Sequence, residues 1–268
     1  MVVGPTGTEV TADDVIGEWS EGTGPSPDTT EGRARDARAG ALAGKAIERA
    51  VALAKSGAVQ GIVTAPIDKA ALLAGGFDFP GHTEMLEALT GSPTVMMLAG
   101  PTLRVVLATT HIALREVHAA LTKELIVRTA RITREGLQRA FGIADPRIAL
   151  CALNPHAGDH GRFGREDDAL LAPAAREAGI AGPYPADTVF VRAMRGEFDC
   201  VIAPYHDVGM TAIKVASFGE GVNVTLGLPF VRTSPDHGTA LDIAGSGRAS
   251  ESSFVAAVRC AVDVLARG

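Results

Sequence analysis

The chain has 268 residues, enough for one large domain or for two smaller lobes that share a cleft. Its 25 Lys and Arg residues are outnumbered by 31 Asp and Glu residues, and the resulting net charge of −6 argues against a nucleic-acid-binding face. Three cysteines, an odd number without a CxxC pair, disfavour a disulfide framework or a cysteine-based zinc finger and fit a reducing compartment.

The N-terminal part, residues 1–32, is rich in Gly, Pro, Thr and acidic residues, which predicts an irregular segment. It lacks the basic-then-apolar pattern of a signal peptide. Nowhere does an apolar run approach the roughly 20 residues that span a membrane. We therefore expect a soluble, cytoplasmic protein that contacts neither a membrane nor a nucleic acid.

An alanine-rich helix is predicted next, from Arg33 to a glycine stop at Gly57. After it, β-branched runs alternate with helical stretches, the pattern of an α/β fold with a largely parallel sheet. We expect one unit of two interleaved lobes with a cleft between them, covering 1–268 and dividing near residue 100 or 180. The predicted strands are 59–65, 94–98, 104–110, 147–153, 200–204 and 222–227. Further helices are predicted at 122–141, 166–178 and 251–266.

Three of the seven histidines directly follow predicted strands: His111, His156 and His206. Ligands of open α/β sheets bind beyond the carboxyl ends of the strands. Three imidazoles, with positions left open for water or substrate, suit a catalytic divalent metal. Each histidine taken singly is also compatible with an ordinary loop residue, so the metal site depends on their equivalent positions. His160, in the same glycine-rich loop as His156, is expected to be solvated.

Two further segments suit an anionic substrate. His82 and Thr83 open a helix in the sequence GHTE, where free backbone N–H groups attract anions. The alternative is an N-capping threonine beside an ordinary histidine. The second segment, 206–242, carries Lys214 and Arg232 among polar residues, which suits a carboxylate or a phosphate. An ordinary charged surface loop is the alternative there.

The TSPDHGT sequence within 206–242 has the turn-forming residues of a loop that meets a helix, and such a loop could cradle a phosphate. The GSGRAS sequence at 245–250 does not open a βαβ unit, so we interpret it as a turn. A standard dinucleotide fingerprint is absent from the sequence.

Several long motifs resemble one enzyme family. The segments VTAPIDKAAL, GHTE, TTHIALREV, LNPHAGDHGRFGRED, PADTVF, APYHDVGM and GVNVTLGLPFVRTSPDHGTALDIAG are similar to the 4-hydroxythreonine-4-phosphate dehydrogenases of pyridoxal phosphate biosynthesis. The resemblance runs from about residue 58 to the C-terminus. It implies the fold of the isocitrate and isopropylmalate dehydrogenases, which bind NAD or NADP without the usual fingerprint.

The resemblance also implies roles for individual residues. The metal ligands would be His111, His156 and His206. The substrate contacts would be His82, Thr83, Lys214, Asn223 and Arg232. Asp187 of PADTVF matches a position at the site, and either Lys214 or Asp187 could move protons. The dinucleotide would meet Thr233, Ser234, His237 and Gly238.

The implied reaction is oxidation of 4-phosphooxy-L-threonine, with NAD or NADP and a divalent metal, to a 3-keto acid that decarboxylates to 3-amino-2-oxopropyl phosphate. Zinc is the first choice of metal, ahead of magnesium and cobalt. The implied assembly is a homodimer with the site at its interface, His111 and His156 coming from one subunit and His206 from the other. Family members begin with a strand and a Gly-Asp-Pro turn that we do not find, so we expect this chain to start late.

Three alternatives remain open. A relative within the family would oxidise D-threonate or D-erythronate 4-phosphate, or a dihydrodiol of an aromatic acid. A metal-dependent hydrolase would use the three histidines to generate hydroxide, but would leave RTSPDHGT and GVNVTLGLPF without a role. A non-catalytic relative, retained for binding or structure, would be consistent with the missing N-terminal segment.

Overall fold

The structure is a computed structural model that describes residues 1–8, 10–19, 29–217 and 220–267. The strands in these ranges are β1 (Val3–Thr6), β2 (Asp14–Glu18), β3 (Gly61–Val63), β4 (Val95–Ala99), β5 (Arg104–Leu107), β6 (Ile148–Cys151), β7 (Ala181–Tyr184), β8 (Cys200–Ala203), β9 (Val222–Leu226) and β10 (Val231–Pro235). The α-helices are α1 (Thr30–Lys55), α2 (Lys69–Ala74), α3 (His82–Thr90), α4 (Leu114–Ala120), α5 (Lys123–Phe141), α6 (Ala172–Ala178), α7 (Ala186–Met194), α8 (His206–Ser217) and α9 (Ser252–Leu265).

Within the described residues, eight strands form one sheet in the order β3-β10-β9-β4-β5-β8-β6-β7. The pairs β3-β10, β5-β8, β8-β6 and β6-β7 are parallel. Strand β9 is antiparallel to both of its neighbours, and β4 is antiparallel to β5. The predicted α/β fold with a largely parallel sheet is therefore confirmed, with an antiparallel section around β9. The sheet is continuous, and its division into two lobes stays a prediction.

Helices cover both faces of this sheet. On one face, α7 and α8 pack over apolar side chains such as Leu98, Val105 and Val201. On the other face, α4, α5, α6 and α9 bury a larger cluster that includes Met97 and Ile202. Both faces of the central strands are thus covered, which explains why these strands are almost continuously apolar in sequence.

The polar face of β9 and β10 differs from the rest of the sheet. Asn223 on β9 stands opposite Leu98 on one side and Ser234 of β10 on the other. Because side chains alternate along a strand, Thr225 and Arg232 point to this same face. One side of the sheet therefore changes from apolar to polar where it reaches β9 and β10.

The predicted strands correspond to β3, β4, β5, β6, β8 and β9, and four predicted helices correspond to α1, α5, α6 and α9. The α5 helix begins after Thr122, whose side chain accepts a hydrogen bond from the Leu125 N–H, and it ends at Gly142 in the left-handed conformation. Strands β7 and β10 and helices α2, α4, α7 and α8 were not predicted. The predicted helix at 166–178 begins as a π-helical turn over Asp167–Leu171.

The N-terminal segment is more regular than predicted. Strands β1 and β2 pair in parallel as a separate two-stranded sheet, and α1 begins at Thr30 rather than at Arg33. Val3, Val15 and Ile16 supply β-branched residues of this small sheet, but glycine and proline nearby obscure the pattern. Part of the predicted irregular segment, residues 9 and 20–28, lies outside the described residues. No helix among the described ones combines the length and apolar character needed to cross a membrane.

Candidate functional site

The carboxyl ends of three parallel strands meet at one edge of the sheet. Strand β8 lies between β5 and β6 and pairs in parallel with both. The residues that follow these strands lead to His111 after β5, His206 after β8 and His156 after β6. The predicted placement of the three histidines at one edge is thus what the strand order produces.

His111 and His206 lie side by side in a single chain. Their ring centroids are 5.6 Å apart, and both line a cavity of about 110 Å³ at this edge. The Nδ1 atom of His206 is 2.7 Å from Oδ1 of Asp207, so an Nδ1–H donated to the carboxylate leaves Nε2 as a free acceptor. Partial burial, together with the charges of Lys69 and His206, lowers the pKa of His111. A neutral imidazole is the form that binds a metal.

His156 does not join this pair within one chain. It lies in a short 3₁₀ turn, Pro155–Gly158, where its φ of 53° is left-handed, and its side chain is exposed beside Phe163. Among the residues that the structure describes, no three His, Cys, Asp or Glu side chains are grouped closely enough to hold a metal. The family resemblance implies that His206 comes from a different subunit than His111. Within one chain, His111 and His206 are adjacent and His156 lies apart from them, and the division of the ligands between subunits stays a prediction.

Arg232 is the most deeply buried charged side chain on the polar face. Only 2% of it is exposed, and it donates hydrogen bonds to the hydroxyls of Thr225, at 2.9 Å, and Thr64, at 2.7 Å. Its Nε–H has no partner in the described part of the chain. Burial lowers the pKa of Arg232 to about 10, and no carboxylate of the described residues offsets that effect. A buried guanidinium without an acidic partner is poised for an anionic ligand.

Two neighbours of Arg232 also have buried polar atoms that find no partner among the described residues: Nε2 of His82 and Oδ1 of Asn223. His82 and Thr83 form the first turn of α3, which begins after Gly81 with no side-chain cap. Thr83 is therefore not the N-cap that the alternative interpretation required. Burial, and then the charge of Arg232, lowers the pKa of His82 to about 3, so this imidazole is neutral at physiological pH.

The two candidate proton carriers have different surroundings. Lys214, near the end of α8, is half-exposed, and its Nζ is 3.9 Å from Oδ2 of Asp236. Burial raises the pKa of Asp236, although the charges of Lys214, His237 and His206 oppose that effect. Asp187 is exposed in the first turn of α7, where its charge helps to raise the pKa of Cys151. The structure thus adds Asp236 to the titratable groups near the site.

The predicted cofactor segment is only partly a loop. Thr233 and Ser234 are buried within β10, and the Thr233 hydroxyl donates to the Ala257 carbonyl of α9. His237 and Gly238 follow the strand and are exposed, with open space around the Gly238 Cα. The expected helix after this loop is only a 3₁₀ turn at Leu241–Ile243. His160 is exposed and 245–250 form a turn and an irregular stretch, as predicted.

Sequence reasoning missed three residues that shape the site. Thr64 directly follows β3, and only its long-range contact with Arg232 shows its importance. Asp207 directly follows His206, and this adjacency was the sequence signal that could have identified it. Asp167 is completely buried and accepts hydrogen bonds from the loop that carries His156. An acidic residue just after a glycine-rich loop was the only sequence signal for Asp167.

Comparisons with known proteins agree with the motifs. The family model described as "Pyridoxal phosphate biosynthetic protein PdxA" matches residues 23–261. A 4-hydroxythreonine-4-phosphate dehydrogenase of Caulobacter vibrioides is 49% identical over 233 residues, covering 82% of this chain and 70% of that protein. A D-threonate 4-phosphate dehydrogenase of Cupriavidus necator is 50% identical over 236 residues, covering 85% and 71%.

Solved structures show the same relationship. The crystal structure of a 4-hydroxythreonine-4-phosphate dehydrogenase from Klebsiella pneumoniae matches with a TM-score of 0.79 and 43% identity. The match covers 85% of this chain and 71% of that one. The family resemblance inferred from the motifs is therefore confirmed over most of the chain. This chain belongs to the family of the pyridoxal phosphate biosynthetic protein PdxA.

Proposed function

We propose that this chain is an NAD- or NADP-dependent dehydrogenase that oxidises the secondary hydroxyl of 4-phosphooxy-L-threonine. The 3-keto acid formed would decarboxylate to 3-amino-2-oxopropyl phosphate, on the route to pyridoxal 5'-phosphate. Membership of a family whose relatives are named dehydrogenases makes the chain an oxidoreductase acting on a CH–OH group. The observation that supports the substrate class is the buried Arg232, which no carboxylate in the described ranges neutralises.

Arg232 would bind the negative charge of the substrate. Its unpaired Nε–H and the free atoms of His82 and Asn223 supply both donor and acceptor positions on one polar surface. Because its pKa is about 3, His82 adds no second positive charge and serves as a neutral hydrogen-bonding group. The hydroxyl and the backbone N–H of Thr83, in the first turn of α3, add donors for an anionic group.

His111 and His206 suit a divalent metal by their donor chemistry. Asp207 fixes one ring nitrogen of His206, and both histidines line the same cavity. A divalent cation held there would supply Lewis-acid polarisation of the substrate hydroxyl. Zinc is the metal we favour for imidazole ligands, with magnesium or cobalt as alternatives.

We infer that the third ligand, His156, is provided by a second copy of the chain in a homodimer. The geometry supports this division because His111 and His206 are adjacent in one chain, while His156 projects from a separate loop. It differs from the division that the family resemblance implies, in which His206 is the ligand from the partner. Each dimer would then have two sites, and each site would be incomplete without the partner.

Lys214 and Asp187 remain the proposed proton carriers. The Lys214 ammonium lies beside Asp236, which can hold it in place or exchange a proton with it. The dinucleotide would bind along the exposed segment at His237 and Gly238, where the open space around Gly238 fits a close backbone approach. Bound NAD or NADP would supply the hydride acceptor. The Thr233 hydroxyl, already bonded to Ala257, would stabilise the strand, and Ser234 would border the dinucleotide.

D-threonate 4-phosphate is a second candidate substrate, favoured by the 50% identity to the Cupriavidus necator enzyme of that name. It has the same terminal phosphate, so Arg232 fits it equally well. The buried arginine therefore supports the phosphorylated hydroxy-acid class and does not choose between the two.

A substrate panel tests the proposal. Metal-loaded protein would be given 4-phosphooxy-L-threonine, D-threonate 4-phosphate, D-erythronate 4-phosphate or an aromatic-acid dihydrodiol with NAD or NADP, and reduced nicotinamide would be measured by absorbance. We expect the fastest reduction with 4-phosphooxy-L-threonine, and its loss on addition of a chelator. A faster reaction with another panel member would reassign the substrate. No reduction with any of them would overturn the dehydrogenase proposal.

A further inference from the structure

The loop that carries His156 is held by one buried carboxylate. Oδ1 of Asp167 accepts a hydrogen bond from the Leu153 N–H at 2.8 Å, and Oδ2 accepts from the Asn154 N–H and side-chain Nδ2, both at 3.0 Å. None of the Asp167 side chain is exposed. These three contacts, which we call the Asp167 clamp, involve the two residues that immediately precede the His156 turn.

The clamp lies just beyond the end of β6, where the sheet no longer provides hydrogen-bond partners. Strand β6 ends at Cys151, so the backbone N–H groups of Leu153 and Asn154 lie beyond its ladder. Buried N–H groups need an acceptor, and a carboxylate forms stronger bonds to them than a neutral oxygen does. Asp167 therefore determines the direction in which the chain leaves β6.

The turn that follows is strained. His156, Ala157, Asp159 and His160 all have positive φ values, between 42° and 56°, although none is a glycine. Each such residue costs on the order of 1 kcal/mol and persists only where surrounding contacts determine it. The exposed His156 side chain has little packing of its own to fix it. The contacts that determine its position lie before and after the turn.

A second carboxylate extends the clamp towards the His111 side of the site. Oε2 of Glu166 accepts a hydrogen bond from Asn154 Nδ2 at 2.8 Å, and Oε1 lies 3.3 Å from Nε2 of His118 on α4. Helix α4 begins three residues after His111. The two loops that carry His111 and His156 are thus connected through Glu166 and Asn154.

We propose that Asp167 is a positioning residue that holds His156 ready to act as a ligand, through its clamp on the backbone of Leu153 and Asn154. This inference rests on the proposed role of His156.

The test compares Asp167→Asn with Asp199→Asn in the full-length protein. Asp199 is a matched control, since its carboxylate also accepts three hydrogen bonds, from Arg147, but at the opposite end of β6. In Asp167→Asn an amide N–H replaces one acceptor and faces an N–H donor. Zinc affinity would be measured by competition with a chromophoric chelator, and the mobility of residues 153–164 by hydrogen exchange.

We expect Asp167→Asn to weaken zinc binding by about 10- to 100-fold, the range typical of outer-shell substitutions, and to speed amide exchange in residues 153–164. The Asp199→Asn variant would change global stability without either effect. If both variants weaken zinc binding equally, Asp167 only stabilises the fold and does not position His156. If Asp167→Asn does not fold, Asn154→Ala removes the side-chain contacts to Asp167 and Glu166 and keeps the two backbone contacts of the clamp, and we expect it to weaken zinc binding at least threefold.

His156→Ala separates this inference from the proposed function. Unchanged zinc affinity in His156→Ala would show that His156 is not a ligand, and the proposed site would fail with it. Weakened binding in His156→Ala, but not in Asp167→Asn or Asn154→Ala, would overturn the positioning role alone.

Discussion

Arg232→Met is expected to separate substrate binding from stability. Methionine is similar in length to arginine and carries no charge, so it removes the buried guanidinium with little change in packing. If Arg232 serves to bind an anion, the ligand-free protein has to tolerate an uncompensated buried charge. Removing that charge should then not destabilise the fold.

The size of the effect follows from the surroundings of Arg232. Its pKa of about 10, against an ordinary value above 12, corresponds to roughly 3 kcal/mol of lost solvation. Methionine relieves that cost, but the hydroxyls of Thr64 and Thr225 each lose a donor, at about 1 kcal/mol apiece. The unfolding free energy should therefore stay within about 1 kcal/mol of the wild-type value or exceed it.

Binding should change in the opposite direction. A charge-assisted hydrogen bond contributes about 1.5–3 kcal/mol, so KM for the phosphorylated substrate should rise about 10- to 150-fold. Inorganic phosphate should raise Tm in the wild type and have little effect on the variant. Urea unfolding without ligand, thermal unfolding with phosphate and initial rates provide the three measurements. Arg131→Met, on the exposed surface of α5, is the control for loss of one positive charge.

A loss of more than about 3 kcal/mol in unfolding free energy, with KM unchanged, would refute this reasoning. That result would make Arg232 a structural residue whose bonds to two threonines stabilise the sheet.

Three further outcomes are expected. The pKa of His82 in the folded protein is far below its value in the unfolded chain, so the unfolding free energy should fall as the pH drops below about 6.5. The His82→Gln variant should lose about 2 kcal/mol less unfolding free energy between pH 7 and pH 5 than the wild type, as measured by urea unfolding. Mixing His111→Ala with His156→Ala should restore about a quarter of wild-type activity after random reassembly, whereas mixing His111→Ala with His206→Ala should restore none. Chelation should abolish nicotinamide reduction, and added zinc should restore it.

Each of these outcomes has a control or a result that would contradict it. His160→Gln removes an exposed imidazole and is compared with His82→Gln at both pH values. If mixing His111→Ala with His206→Ala restores activity, with heterodimers verified by mass spectrometry, then His206 and not His156 is the ligand from the partner subunit. Full activity in metal-depleted protein would exclude a catalytic metal.

The sequence was sufficient to predict strands β4, β6 and β8, because their side chains are apolar throughout. Strand β10 was missed because its residues, VRTSP, are mostly polar, and two of them, Arg232 and Ser234, lie on the polar face of the sheet. It pairs with β3 and β9, and β3 lies far from it in the chain. Helix α8 was missed because Gly209 interrupts it, yet a side chain there would collide with Leu107 and Ala203. The same close approaches that position the site therefore hid these elements from pattern reasoning.

Some features of the site could be predicted from the sequence and others could not. The three strand exits were evident from the sequence, but the order β5-β8-β6 depends on long-range pairing. The adjacency of His111 and His206 follows from that order. The separation of His156 depends on a left-handed turn, which the sequence signals only by its glycines. The interaction of Arg232 with Thr64 joins residues 168 positions apart, and nothing local predicts it.

The left-handed histidines have a consequence for protein engineering. His111, with φ of 27°, and His156, with φ of 53°, occupy backbone positions where glycine or asparagine has lower energy. A library selected only for thermal resistance would favour those two residues at both positions. It would enrich well-folded, heat-resistant variants that lack both imidazoles. Selection for resistance to heat therefore has to be paired with selection for metal uptake if the redesigned protein is to keep its chemistry.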